Sequence, residues 1–287
     1  MKPTTPRSKR PQSGVILVLV LLMLTLCACI AAQVASRTIR LTGQAADSQR
    51  ELQARWAMVS LRRTLLNDAQ ALLTAPNPET SALRPIALRQ ETILLGGIRY
   101  QIALQDESAK APIARMLRNK NQQDIEPILR QLLQGRAILQ SSIPAKPTHW
   151  REIIDTPNPT ASSDNASMLL AATRRMTLWS DGRLNILTAD SETLDAVWRY
   201  QFNTPAPEVL TSARQNISTD ADLESQFFGQ GLSERQRAFA TSWLTTKSAS
   251  FSLWITQSAP NGKSNAAVYV RSSQPGYADD HFGLHNP

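Results

Sequence analysis

The chain has 287 residues, 31 of them Lys or Arg against 23 Asp or Glu, for a formal charge of +8. With 42% hydrophobic and 19% charged residues it can bury a core, which excludes wholesale disorder, and the length suits one large domain or two small ones at roughly 100–200 residues each. Cys27 and Cys29 lie two apart inside an apolar run, which excludes a disulfide framework and a cysteine-based zinc module.

Residues 1–14 carry Lys2, Arg7, Lys9 and Arg10 and no acid, and Val15 to Ala32 then run without a charge. A helix of that length reaches about 27 Å, close to the hydrocarbon thickness of a bilayer. Because the basic residues flank only its amino-terminal side, the positive-inside rule holds residues 1–14 in the cytoplasm and sends the remainder across; in a Gram-negative cell that destination is the periplasm. Three readings compete for this segment. A secretory signal peptide finds a small-residue cleavage site in residues 31–35. A lipoprotein signal finds its cysteine in Leu26-Cys27-Ala28-Cys29. The third starts from Gly14, which directly abuts the apolar run: a short basic leader, a glycine and an apolar helix resemble the type IV prepilin signal. Cleavage then falls after Gly14, and Val15 becomes the methylated first residue. Length, flanks and the sequence that follows favour this third reading.

From Gln33 to about Leu73 there is no proline. Leu52, Trp56 and Val59, with Met58, Leu61, Leu65, Ala69 and Leu72 alongside, recur at helical spacing, while Arg50, Arg55, Arg62 and Arg63 take much of the other side. Pro76 and Pro78 end the element. One continuous helix is expected, half in the bilayer and half laid on a soluble domain, with Gly43 as a flexible point.

Two hairpins follow from alternation and turn chemistry. Thr92–Leu95 and Ile98–Gln105 flank Gly96-Gly97, and Ile98, Tyr100, Ile102 and Leu104 alternate with Arg99, Gln101, Ala103 and Gln105, predicting one buried and one wet face. Phe251, Leu253 and Ile255 lead through Asn261-Gly262 to Val268 and Val270. Between the hairpins the pattern predicts helices at Asp124–Leu133, Met168–Leu178, Ser191–Tyr200 and Ser233–Thr246, punctuated by Pro144, Pro147, Pro157 and Pro159. Gly276 to Pro287 has no periodicity and reads as a loose tail. Asp181-Gly182-Arg183-Leu184-Asn185-Ile186-Leu187-Thr188-Ala189 reads as a turn into a helix, with Thr188 as its cap and Asp190 and Glu192 against the helix dipole.

These pieces resemble the minor pseudopilin K family of type II secretion systems. The resemblance rests on the leader, on Asn185-Ile186-Leu187-Thr188-Ala189, which is similar to an Asn-x-Asn-Thr-Ala stretch, and on Asp106-Glu107-Ser108-Ala109-Lys110, which is similar to Asp-x-x-Gly-Lys. Asn185, Thr188 and Ala189 are the matched turn positions. Ala109 and Leu187 depart from the pattern. Most pseudopilins place a glutamate fifth after cleavage, where it pairs with a neighbour's terminal amine; here that residue is Leu19, as is usual in the K family. The resemblance implies an α+β fold, in which a long amino-terminal helix packs on an antiparallel sheet and a large helical domain is inserted between the sheet hairpins. The expected divisions are a leader at 1–14, a transmembrane segment at 15–32, a periplasmic helix at 33–74, sheet at 75–107, insert at 108–247, closing strands at 248–272 and a tail at 273–287.

The implied role is a minor pseudopilin at the tip of a short inner-membrane-anchored pseudopilus that supports protein export. Its implied partners are the I- and J-type minor pseudopilins, the major pseudopilin, the prepilin peptidase, the membrane and exported proteins. The alternative is a periplasmic lipoprotein or signal-anchored adaptor without a fibre role. No enzyme is expected: His149 stands without a second helical histidine, His281 and His285 lie in the tail, Gly229-Gln230-Gly231 lacks the rest of a phosphate loop, and Asp106, Glu107 and Glu152 have no fixed spacing. The family's acidic calcium-type loop finds no counterpart in the scattered Asp124, Asp155, Asp164 and Asn165, so no cofactor is expected. Nor is nucleic acid: Arg174, Arg175, Arg183 and Arg199 lack the glycines of a phosphate-binding hairpin, and leader removal takes away half of the +8 charge.

Overall fold

In the computed structural model the described residues are 13–74, 85–135, 138–155, 169–214, 217, 219–228, 231–258, 264–272 and 281–284. The leader residues 1–12, Pro76, Pro78, Pro157, Pro159, Asp164, Asn165, Gly229, the Asn261-Gly262 turn and His285 lie outside them. The chain divides into two units, residues 1–56 and 57–287.

The described part of the first unit is helical throughout, and it belongs to α1 (Ser13–Asn67). An 18-residue window near its start has a mean hydropathy of 2.7, so the helix is long and apolar enough to cross a bilayer. Thr25, Ser36, Thr38 and Thr42 turn their hydroxyls back onto helix carbonyls, which removes unpaired donors from an apolar surface. Gly43 is helical like its neighbours.

In the second unit α1 gives way at Asp68 to α2 (Ala69–Thr74). Leu61, Leu66, Ala69 and Leu73 are buried, with Met58, Leu65 and Leu72 packed beside them. The expected stripe is corrected within this unit at Val59, which is 43% exposed; Leu52 and Trp56 belong to the first unit. Val59 lies about a quarter-turn round the helix from the residues that are buried, and helical periodicity alone does not say which of two adjacent apolar stripes meets the core.

The sheet has the order β1 (Leu88–Leu95), β2 (Ile98–Asp106), β9 (Ser250–Ser258), β10 (Ser264–Ser272), β11 (His281–Leu284), every pair antiparallel. Gly96 and Gly97 turn the first hairpin at φ of 58° and 78°, values that side chains tolerate poorly and that suit the right-handed strand twist. Tyr100, Ile102, Leu104, Leu253 and Ile255 share a core with the buried helix residues. The other face is wet only at its start, where Arg99 and Gln101 are exposed, and is covered from Ala103 onward. Ala103, Trp254, Val268 and Val270 belong to a second core built mainly by the insert, and Gln105 is buried as well. The residues read as a loose tail also contain β11, which completes the sheet edge through backbone pairing, to which side-chain periodicity is blind.

Residues 107–249 are inserted between β2 and its hydrogen-bonded neighbour β9. The insert begins with β3 (Ala111–Pro112), α3 (Ile113–Asn119) and α4 (Gln122–Leu133), whose Ile125, Ile128, Leu129, Leu132 and Leu133 are buried at helical spacing. Short β4 (Ile138–Leu139) and β5 (Ile154–Asp155) pair with one another. The helices α5 (Ser191–Phe202), α6 (Glu208–Ala213), α7 (Asp220–Phe228) and α8 (Glu234–Trp243) follow. Trp198, Phe202, Phe239 and Trp243 make a chain of ring contacts, with centroids 4.6 to 5.8 Å apart.

Two predicted helices end early. Residues 169–172 are helical, but β6 (Met176–Thr177) pairs in parallel with β3. The last helix stops at Trp243, and β8 (Leu244–Thr245) pairs in parallel with β7 (Leu184–Asn185). In each case apolar residues that fit a helical stripe are drawn into long-range backbone pairing.

Candidate functional site

The end of β2 and the turn before α5 meet. Asp106 caps the short 3-10 turn Glu107–Ala109 by accepting the Ser108 amide at 2.9 Å on Oδ1. Its Oδ2 accepts the Thr188 hydroxyl at 2.7 Å and the Ser248 hydroxyl at 2.6 Å. Ser248 in turn accepts from Asn185 Nδ2 at 2.8 Å, while Asn185 Oδ1 receives the Leu187 amide at 3.0 Å and its carbonyl the Ala189 amide at 2.9 Å. The two segments singled out in the sequence thus form one hydrogen-bonded site with Ser248, which leads into β9.

Beside Asp106 lies a buried ion pair. Lys110 Nζ donates to Glu107 Oε1 at 2.6 Å and to Gln105 Oε1; Ser252 also donates to Glu107 Oε1 and receives Trp254 Nε1 at 3.2 Å. Glu107 and Lys110 are 0% and 3% exposed, so each charge depends on the other. Burial pushes the Asp106 carboxyl above its ordinary range, the Ser248, Thr188 and Ser108 bonds pull it back, and the Glu107 charge pushes it up again.

Thr188 is not the cap of α5. Asp190 takes that place, accepting the Thr193 amide at 2.6 Å, and Thr188 turns to Asp106 instead. Burial works against the Asp190 charge, but the Thr193 bonds and Arg175 hold its carboxyl below the ordinary range. Ala189 is buried, where a larger side chain has little room. The turn that opens the segment needs glycine at residue 182: φ is 86°, and an added Cβ would stand 3.0 Å from Arg115 Cδ. Arg115 donates to the Gly182 carbonyl at 2.8 Å and lies 4.1 Å above the Trp243 ring, so turn and insert core are locked together.

The other predicted positions lie apart from this site. Gly14 and Val15 fall in the first turn of α1, and Leu19 is exposed on the same helix. Glu152 does not join Asp106 and Glu107 as a carboxylate pair; it accepts the Thr148 and His149 amides at 2.6 and 3.2 Å. Ser248 and Ser252 were missed. The signal available was Ser248, Ser250 and Ser252 at every second position, a row of hydroxyls on one face of the chain entering β9.

The site works as a clasp across the base of an insert. Its carboxylates accept from three sequence-distant segments, and removal of one donor leaves a buried carboxylate one hydrogen bond short. The molecule so defined is an α+β chain with a membrane-length amino-terminal helix and an antiparallel sheet interrupted by a clasped helical domain. Among solved structures it is similar to a chain of the GspK–GspI–GspJ complex from the type 2 secretion system of enterotoxigenic Escherichia coli, at 14% identity and a TM-score of 0.45, over 83% of this chain and 97% of that one. No family model and no curated protein sequence matches the chain.

Proposed function

We propose that the chain is a minor pseudopilin of a type II secretion system, cleaved after Gly14, anchored in the inner membrane by Val15–Ala32 and seated at the tip of a short periplasmic fibre. The observation that carries the reading is the insertion of residues 107–249 between adjacent strands of a sheet whose other face is packed by the end of α1, with the Asp106 segment and the Asn185 segment meeting at its base. That architecture is the one the sequence resemblance implies. Leu19 adds to it: without a carboxylate fifth after cleavage, the subunit does not neutralise the terminal amine of another, which suits a position at the end of a fibre. The insert adds bulk that opposes continued stacking. The I- and J-type minor pseudopilins are its proposed neighbours, and the role is structural, in starting assembly and supporting export, without catalysis or a cofactor.

Mass spectrometry of the mature amino terminus tests the reading. A methylated Val15, lost when Gly14 is replaced by leucine, is expected. A lipid on Cys29, or cleavage near Ala35, would overturn it. Co-purification with two other minor pseudopilins tests the tip role; a monomer under conditions that preserve their association speaks against it.

A further inference from the structure

The sequence has no acidic residue before Asp47, but six basic ones. Lys2, Arg7, Lys9 and Arg10 precede the apolar span, and Arg37 and Arg40 follow it on α1. Arg37 and Arg40 are exposed and have no ion pair among the described residues, whereas Arg50 and Arg55 further along the helix pair with Asp47 and Glu51. Their side of the helix is a narrow polar stripe, Gln33, Arg37, Arg40 and Gln44, at spacings of four and three. The opposite side stays apolar. Val34, Ile39 and Leu41 are exposed there, and the Thr38 and Thr42 hydroxyls turn back onto the carbonyls of Val34 and Thr38.

Depth decides what the two cations meet. With residues 15–32 in the hydrocarbon, Arg37 stands about 7.5 Å beyond its edge along the helix and Arg40 about 12 Å. The headgroup layer adds about 5–8 Å on each side of the hydrocarbon. Helical side chains lean toward the helix amino terminus, which here is toward the bilayer, so both guanidinium groups reach back into the phosphate layer. A phosphate accepts paired N–H bonds from a guanidinium, and residues 33–46 hold no acid to compete for them. A zwitterionic headgroup brings its own ammonium, which does compete, so an anionic one fits better.

We propose that Arg37 and Arg40 form a binding face for anionic phospholipid headgroups of the periplasmic leaflet and so set the depth of the membrane helix. This face depends on residues 15–32 being the membrane span proposed above. Cleavage after Gly14 removes the four leader cations, and Arg37 and Arg40 are then the side-chain charges nearest the bilayer, so the mature subunit is gripped at its periplasmic end.

The test places the full chain, with Lys2→Gln, Arg7→Gln, Lys9→Gln and Arg10→Gln to silence the leader, in phosphatidylcholine vesicles. Electron spin resonance then compares how much spin-labelled phosphatidylglycerol and spin-labelled phosphatidylcholine are immobilised at its boundary. A preference of about three- to fivefold for phosphatidylglycerol is expected. It should vanish in Arg37→Gln/Arg40→Gln and persist in Arg50→Gln/Arg55→Gln, whose positions lie beyond the headgroups. No immobilised lipid of either kind would overturn the membrane span and the headgroup face together. Immobilised lipid with no preference would leave the span standing, overturn the headgroup face and assign the two arginines to a carboxylate of a neighbouring subunit. A preference that survives Arg37→Gln/Arg40→Gln, or that Arg50→Gln/Arg55→Gln abolishes equally, would also overturn the headgroup face alone.

Discussion

Asp106 and Thr188 are 82 positions apart in the chain, yet the hydroxyl of one lies 2.7 Å from the carboxylate of the other. The contact ties the last residue of β2 to the turn that launches α5. Ser248, on the same carboxylate oxygen, ties in the return to β9. An insertion between two paired strands has to enter and leave at nearly one point, and these three side chains hold that point closed.

Thr188→Val keeps the shape and removes the donor. Asp106 then retains two of its three partners in a buried place, so the change is expected to destabilise the fold by about 1–3 kcal/mol. Thr188→Ser keeps the hydroxyl and should lose less. Urea unfolding of the two variants checks the order; a smaller loss for Thr188→Val than for Thr188→Ser would show that the methyl group, and not the bond, matters.

Acid titration should separate two kinds of carboxylate. The folded pKa of Asp106 is raised above 3.8, first by burial, so its stabilising share is complete below that value and is lost as pH rises through the folded one. Asp220 is the opposite case. Burial raises it, but the Thr246 amide and hydroxyl, the Thr245 hydroxyl and Arg183 outweigh burial and hold it below 3.8; its share is present above 3.8 and lost as pH falls through the depressed value. Asp220→Asn is therefore expected to flatten the stability profile below 3.8, and Asp106→Asn to flatten it above 3.8. Unfolding midpoints measured across that range read both slopes. Identical profiles for the two variants would contradict the assignment.

The two apolar stripes at the end of α1 should respond differently. Leu66 is 3% exposed within the sheet core, and Leu66→Ala is expected to cost about 2–5 kcal/mol. Val59 is 43% exposed, and Val59→Ala should change the stability of the isolated chain by no more than about 0.5 kcal/mol. A large loss for Val59→Ala in thermal melts would restore the stripe read from periodicity.

This contrast shows where the sequence is legible. Gly96-Gly97 between alternating strands locates a hairpin because both the turn and the pleat are local properties. Asp190 and Ser233 start helices for equally local reasons. The short parallel pairs Ala111–Pro112 with Met176–Thr177 and Leu184–Asn185 with Leu244–Thr245 leave no such trace, because two residues carry no period and the partner lies elsewhere in the chain. The same holds for the site. Asn185 and Thr188 stand out in the sequence, but their local environment accounts for an ordinary turn. Asp106 stands out as well, but its pairing with Thr188 becomes visible only once the insert is folded, as does the burial of Gln105 on a strand face that alternation marks as wet.

The Lys110–Glu107 pair provides the strictest test of the clasp as a unit. Both side chains are almost wholly buried, and the nitrogen and oxygen lie 2.6 Å apart. Removing one partner strands a charge in a low-dielectric interior, so Lys110→Met and Glu107→Leu are each expected to cost about 3–5 kcal/mol. The double variant leaves no stranded charge, although Gln105 and Ser252 still lose a partner, and it should fall short of the sum of the singles by about 1–3 kcal/mol. Its unfolding curve should also stay cooperative, because Asp106, Thr188 and Ser248 remain in place. Losses that simply add would mean that the two charges are held by their surroundings and not by each other, and the insert would then depend on the Asp106 contacts alone.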